Sequence, residues 1–271
     1  MPELPEVETT RRGIEPALVG HRVTRLIVRD RRLRWPIATN IETRVSGQLV
    51  ERVQRRAKYL LIRFELGSLI VHLGMSGSLR LVARETPPKL HDHWDLVLDS
   101  GKVLRFHDPR RFGSLFWTED DPEKHALLKK LAPEPLSAAF NGGYLYRITR
   151  RRAVAIKHLI MYSQLVVGVG NIYASEALFR AGISPRRAAR RLTRTEADKL
   201  SRAIKAVLKD AIKIGGTTLR DYVNADGAPG YFSQKLFVYE RAGMRCRVCK
   251  SPIKHFTQGQ RSTYWCAVCQ R

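Results

Sequence analysis

The four cysteines of this chain stand in two C-x-x-C pairs near its C-terminal end. Cys246-Arg247-Val248-Cys249 and Cys266-Ala267-Val268-Cys269 are separated by sixteen residues. A tight C-x-x-C turn offers two sulfurs to one ion, and two such turns complete a tetrahedral zinc site. The stretch from Lys250 to Trp265 is polar and basic, with Phe256, Tyr264 and Trp265 interleaved. It reads as a short hairpin too small to fold alone, so the metal supplies its core. Two disulfides are the competing reading. Thiols are preferred, because no feature of the chain suggests export to an oxidising compartment. Four thiolate ligands leave no open position for water, so one structural Zn2+ is expected, and no organic cofactor.

Charge narrows the partner. Lys and Arg number 49 against 25 Asp and Glu, a formal net charge of +24 over 271 residues. So large an excess predicts a polyanionic partner, nucleic acid first and an anionic membrane surface second. No apolar run has the length of a membrane span. No basic segment followed by an apolar one marks a signal peptide. The expectation is an intracellular protein with no membrane contact.

Along the chain, two patterns alternate. Pro5 with Glu6 and Glu8 suits a helix start, and Val7, Thr10, Ile14 and Leu18 give a helical face interrupted by Gly13 and Pro16. Val23–Val28 and Val45–Val53 have strand composition. Tyr59–Phe64 and Ser68–Leu73 form one hairpin signal, and Trp94–Leu98 with Lys102–Phe106 forms another. Short strands with glycine-containing turns predict an antiparallel sandwich or barrel. Gly74–Ser78 and His107–Gly113 read as loops at its tips. Beyond a Pro- and Gly-marked linker the period becomes helical. A helix is expected over Ile156–Val167, then a turn, then a helix capped by Asn171 and stopped by Gly182. Thr193 and Glu196 suit a capping box, and Gly215 ends the following helix. Thr217–Gly230 is long enough for a lid or binding loop, and Leu236–Tyr239 reads as a strand.

These motifs, in this order, resemble the bacterial formamidopyrimidine-DNA glycosylases, also called 8-oxoguanine DNA glycosylases, along essentially the whole chain. The resemblance is carried by Pro2-Glu3-Leu4-Pro5-Glu6-Val7-Glu8, Arg56-Ala57-Lys58-Tyr59-Leu60, the loops around Met75 and Asp108–Gly113, Val169-Gly170-Asn171-Ile172-Tyr173-Ala174, and the terminal finger. It implies an α+β fold: an N-terminal antiparallel β-sandwich catalytic domain (1–132), a helical helix–two-turns–helix domain (133–235) and the zinc finger (236–271).

It also implies chemistry. Pro2 is small enough for Met1 to be removed, which leaves a secondary amine as nucleophile. Glu3 is the expected proton donor to the sugar. Lys58 is expected on phosphate and in the elimination steps, and Arg261 on the phosphate beside the lesion. Met75, Arg110 and Phe112 match residues that enter the duplex when a nucleotide is flipped out. Asn171, His91 and Lys157 are expected on the DNA backbone. Glu6, Thr217 and Tyr222 are expected near the flipped base. Some members carry a lysine near Ala153, and Arg152 is the residue here with reach to replace it. His91 and His93 lack a third ligand for a metal. The implied activity is excision of oxidised purines from duplex DNA with cleavage at the abasic site, by a monomer in the bacterial cytoplasm associated with the nucleoid. An endonuclease VIII-like enzyme for oxidised pyrimidines and a non-catalytic zinc-finger DNA-binding protein are the alternatives.

Overall fold

The computed structural model describes residues 2–216 and 236–271. Thr217 and Tyr222 therefore lie outside the described residues. The chain divides into two compact units. One comprises Met1–Lys129 and Ile214–Tyr231, the other Lys130–Lys213 and Phe232–Arg271.

The first unit opens with helix α1, Leu4–Leu18. It runs through Gly13 and Pro16, where the sequence suggested interruption. Pro16 lies in the last turn, where a missing N–H costs a single intrahelical bond. Val7, Ile14 and Leu18 point into the core. Eight strands follow: β1 (Val23–Val28), β2 (Val50–Arg56), β3 (Tyr59–Phe64), β4 (Gly67–His72), β5 (Ser78–Ala83), β6 (Asp92–Leu98), β7 (Lys102–His107) and β8 (Ser114–Thr118). They form two antiparallel sheets, ordered β1-β6-β7-β5 and β2-β3-β4-β8. Leu26, Trp94, Leu96 and Phe106 from one sheet share a core with Leu60, Ile62, Leu69 and Val71 from the other, as a sandwich requires. Trp94 and Phe106 stack at 5.3 Å between ring centres. On the outer face of the first sheet, Asp95 accepts two hydrogen bonds from Arg105 at 2.9 Å and another from Arg29. Burial raises the Asp95 pKa, but the two guanidiniums outweigh it and hold the carboxyl below its ordinary range.

The strand expected over Val45–Val53 is corrected. Ile41–Val45 is a short helix, α2, and the strand begins only at Val50. Ile41 and Val45 are four apart and both buried, so helical spacing prevails over the β-branched composition.

The second unit contains α3 (Gly142–Thr149), α4 (Ile156–Met161), α5 (Asn171–Ala181) and α6 (Arg194–Lys213), and the hairpin β9 (Lys254–Gln258) and β10 (Arg261–Trp265). Gly182 stops α5 in the left-handed conformation, φ 69°, its N–H on the Leu178 and Phe179 carbonyls. Thr193 and Glu196 exchange the hydrogen bonds of a capping box ahead of α6. The helix expected over Ile156–Val167 ends at Met161, because the chain turns at Tyr162 to bury Val166 and Val167. Leu236–Tyr239 is irregular rather than a strand: the backbone N–H groups of Phe237, Val238 and Tyr239 bond a carboxylate, Glu176, instead of a neighbouring strand. Among the described residues no helix is long and apolar enough to cross a membrane.

Candidate functional site

In the first unit, the candidate groups begin at the N-terminal turn. Pro2 is buried, and Glu3, only 2% exposed, is the N-cap of α1. Glu6 is fully buried, and its Oε2 accepts the Glu3 N–H at 2.8 Å in a capping box. That bond fixes the backbone on which Glu3 and Pro2 stand. Glu8 has a different task. It bridges Arg11, Arg12 and Arg55, and although burial raises its pKa, these arginines bring it down overall. Gly216, the last described residue before Thr217, packs on this turn; a Cβ there would lie 3.1 Å from Glu6 Oε1.

Lys58 shares the two-residue loop joining β2 to β3 with Ala57, which takes φ 55°. Half-buried, it lies close enough to His72 to act on it. The His72 pKa falls from 6.5 to about 4, through burial first and then the charges of Lys58 and Arg34. His72 Nδ1 accepts the Gly74 N–H at 3.0 Å, which a neutral ring allows. A neutral histidine thus holds the root of the Met75 loop beside the lysine.

The two loops expected at the duplex are joined by a residue that the sequence reading left unassigned. Asp108 has no exposed surface. Its Oδ1 accepts from the Ser76 hydroxyl at 2.7 Å, and its Oδ2 from the Gly113 N–H at 2.8 Å. Its carbonyl accepts from His93 Nε2 at 2.7 Å. A Cβ on Gly74 would come within 2.4 Å of the Phe112 backbone, so glycine is required for the loops to meet. Above this buried base, Met75 is 39% and Phe112 41% exposed. The exposed Arg110 places its guanidinium carbon 5.2 Å from the centre of the Phe112 ring. These three side chains are therefore carried on two loops joined through one buried carboxylate. The signal in sequence was the Asp-Pro-Arg-Arg-Phe-Gly turn, in which an aspartate can bond its own loop. His91, half-buried with φ 71°, stands beside the buried His93, their rings 6.3 Å apart.

The second unit gathers its candidates around the finger hairpin. Asn171 is the first residue of α5, and the N-cap is Gly170, so the capping role expected for Asn171 is corrected. Its side-chain amide instead donates to the Ser262 carbonyl at 2.9 Å. Lys157 meets the same carbonyl. Wholly buried, it turns its ammonium onto the Ser262 carbonyl at 3.0 Å and Thr263 Oγ1 at 2.7 Å. A lysine in that position supports the hairpin. Arg261, beside these contacts, is exposed. Arg152 is exposed, with its Nε bonded to the Ile148 carbonyl at 2.8 Å, and Ala153 is exposed next to it.

Cys246, Cys249, Cys266 and Cys269 place all four Sγ atoms within 4.8 Å of one another. Cys246 and Cys269 lie 3.9 Å apart, and Cys249 and Cys266 3.3 Å. Zn–S bonds of about 2.3 Å in a tetrahedron separate sulfurs by about 3.8 Å, whereas a disulfide needs about 2.05 Å. The donor set fits a tetrahedral thiophilic cation. The hydrogen bonds of Ser251 bring Cys249 down to about 6, while burial and then the neighbouring sulfurs push Cys269 up to about 12. A bound divalent cation would favour the thiolate form of all four. Among the described residues this is the only such cluster.

Comparison with known proteins bears on both units. The model of the formamidopyrimidine-DNA glycosylase N-terminal domain matches residues 1–115, and that of the formamidopyrimidine-DNA glycosylase H2TH domain residues 131–223. The formamidopyrimidine-DNA glycosylases of Stutzerimonas stutzeri (strain A1501) and Thioalkalivibrio sulfidiphilus (strain HL-EbGR7) are each 59% identical over 271 residues, 100% of both chains. The crystal structure of MutM (Fpg) from Thermus thermophilus is 41% identical, with TM-score 0.89 over 99% of this chain and 98% of that one. The complex between Lactococcus lactis Fpg and an abasic site containing DNA is 30% identical, with TM-score 0.92 over 99% of each chain.

Proposed function

The chain belongs to the formamidopyrimidine-DNA glycosylase family, and from that premise we propose that it removes oxidised purines from duplex DNA and cleaves the strand at the resulting abasic site. The observation that carries the reading is the first turn of α1, where a buried Pro2 and a buried Glu3 stand on one backbone closed by Glu6.

With Met1 removed, the Pro2 nitrogen is a secondary amine. Its lone pair attacks C1′ of the flipped nucleotide, and the base leaves with the electron pair of the glycosidic bond. Glu3 donates a proton to the ring oxygen, the ring opens, and the nitrogen becomes an iminium. The iminium draws electrons from C2′, so its proton departs and the 3′ phosphate is expelled. A second elimination expels the 5′ phosphate. Lys58 supplies a proton donor and a phosphate contact. Met75 and Phe112 fill the vacated stack, and Arg110 faces the estranged base. Glu6 and the segment containing Thr217 and Tyr222 meet the extruded base. Arg261 and Asn171 hold phosphates, His91 and Arg152 add backbone contacts, and zinc on the four cysteines makes the finger rigid enough to present Arg261. The same reading assigns catalysis to 1–132, duplex grip to 133–235 and phosphate placement to 236–271, in a monomer acting in the bacterial cytoplasm on nucleoid DNA.

Borohydride reduction tests the mechanism. It should trap the chain on DNA containing 8-oxoguanine opposite cytosine, with the adduct mapping to Pro2 by peptide mass spectrometry. Trapping at Lys58 would overturn the terminal-amine assignment. Faster release of thymine glycol than of 8-oxoguanine would overturn the purine assignment. Neither trapping nor excision from oxidised-purine duplexes would overturn the activity.

A further inference from the structure

The tip of the finger hairpin is closed by Gly259 and Gln260, with φ 54° and 59°, between the paired residues Gln258 and Arg261. Two left-handed residues in a two-residue loop match the twist of the strands. Gln260 adopts this conformation with a full side chain, so backbone conformation alone does not explain glycine at 259. The neighbour does. A Cβ on Gly259 would lie 2.6 Å from Cε1 and 2.7 Å from Nε2 of His158. The imidazole carried by α4 therefore rests against the bare α-carbon of the turn. His158 Nε2 is buried and has no hydrogen-bond partner, so the ring acts here through its shape. Two positions beyond the glycine, the guanidinium of Arg261 has no hydrogen bond or ion pair among the described residues. Its placement depends on where the backbone of the turn sits.

We propose that His158 is a positioning residue for Arg261: its ring is the seat on which the hairpin tip closes, and Gly259 is the residue that lets it close. This rests on the reading of Arg261 as a phosphate-holding group. The ring limits the tip from below, while Lys157 and Asn171 hold the adjoining strand through Ser262 and Thr263. A methyl group at 259 lifts the tip and carries Arg261 off its phosphate. Loss of the ring lets the tip sink.

The test is a double-substitution cycle in the full-length, zinc-loaded chain: Gly259→Ala, His158→Ala, and the two together, with Arg261→Ala as reference. Single-turnover assays on a lesion duplex read base release and the second elimination separately. Gly259→Ala should slow the second elimination roughly tenfold relative to base release. In the His158→Ala background the added methyl has room, and the rate should return to within about threefold of the parent. The cost of alanine at positive φ is common to both backgrounds and cancels in the cycle. His158→Phe should keep the parent ratio and its pH profile, since it keeps a ring and has no proton to exchange, whereas His158→Ala should not. Equal loss from Gly259→Ala in both backgrounds would overturn the seat. Should Gly259→Ala lose its zinc or its folded state, the two His158 variants decide: impairment in alanine alone supports the seat, and impairment in both or in neither overturns it. If Arg261→Ala itself retains the parent second elimination, the phosphate-holding reading fails instead.

Discussion

Asp108 shows how exposed loop side chains can depend on a buried carboxylate. Its carboxylate collects a hydroxyl and backbone N–H groups from two loops, which carry Met75, Arg110 and Phe112. Asp108→Ala leaves these donors buried and unpaired, at a cost of about 1–3 kcal/mol each. Urea unfolding should show lower stability, and excision assays should show weaker discrimination between cytosine and adenine opposite the lesion, because Arg110 loses its support. Unchanged selectivity would detach Arg110 from base readout. His72 gives a pH prediction of definite sign. Its folded pKa is held down near 4 while the unfolded ring titrates near 6.5. Protons therefore favour the unfolded chain below 6.5, and this part of the stability is lost as pH falls towards 4. The thermal midpoint of His72→Gln, which retains an acceptor for the Gly74 N–H, should fall less steeply over that window than the parent's.

At the scale of elements, α5 organises the finger. Glu176, only 1% exposed, accepts the successive N–H groups of Phe237, Val238 and Tyr239 at 2.9, 2.9 and 3.0 Å. From the start of the same helix, Asn171 holds Ser262. One helix thus fixes both the entry to the finger and the strand next to Arg261. Glu176→Gln replaces an oxygen acceptor with an amide donor and should cost about 1–3 kcal/mol, read as a lower unfolding midpoint and faster zinc loss to a chelator. A metal on the four cysteines would complete the arrangement. Phe179 and Val238 pack with Ile253, Cys246 and Cys266 in a small core of their own, too small to persist without the ion. Zinc removal should abolish the second elimination and lesion-DNA affinity, with the circular dichroism of the sandwich retained. Full cleavage by verified metal-free protein would contradict the structural role.

For the whole molecule, electrostatics sets the terms of binding. A net charge of +24 predicts DNA affinity dominated by counterion release. Six to ten phosphate contacts would lower the binding constant on the order of a thousandfold or more between 50 and 200 mM salt. The drop should be nearly the same for undamaged and lesion-containing duplexes, since phosphate contacts position the protein and groups at the bases discriminate. A slope that differs strongly between the two duplexes would move lesion recognition onto the charged groups.

The terminal amine and its acid are proposed through the family resemblance. The sequence by itself determined the four-cysteine cluster, the excess of positive charge and the sandwich-then-helix order. Each is written in local spacing, overall charge or a contiguous motif, so one strand of text holds the whole signal. The β3–β4 and β6–β7 hairpins were legible for the same reason, because alternation and turn residues act within a few positions. Only the tertiary structure decided the roles that depend on partners far along the chain. The ammonium of Lys157 finds its partners on Ser262 and Thr263, about a hundred residues away. Asn171 reads as a cap until its amide reaches the finger. Ile41–Val45 becomes a helix because its two buried residues share one face. A buried lysine, aspartate or glutamate is stable only where distant groups satisfy it, and folding alone brings those groups within bonding distance.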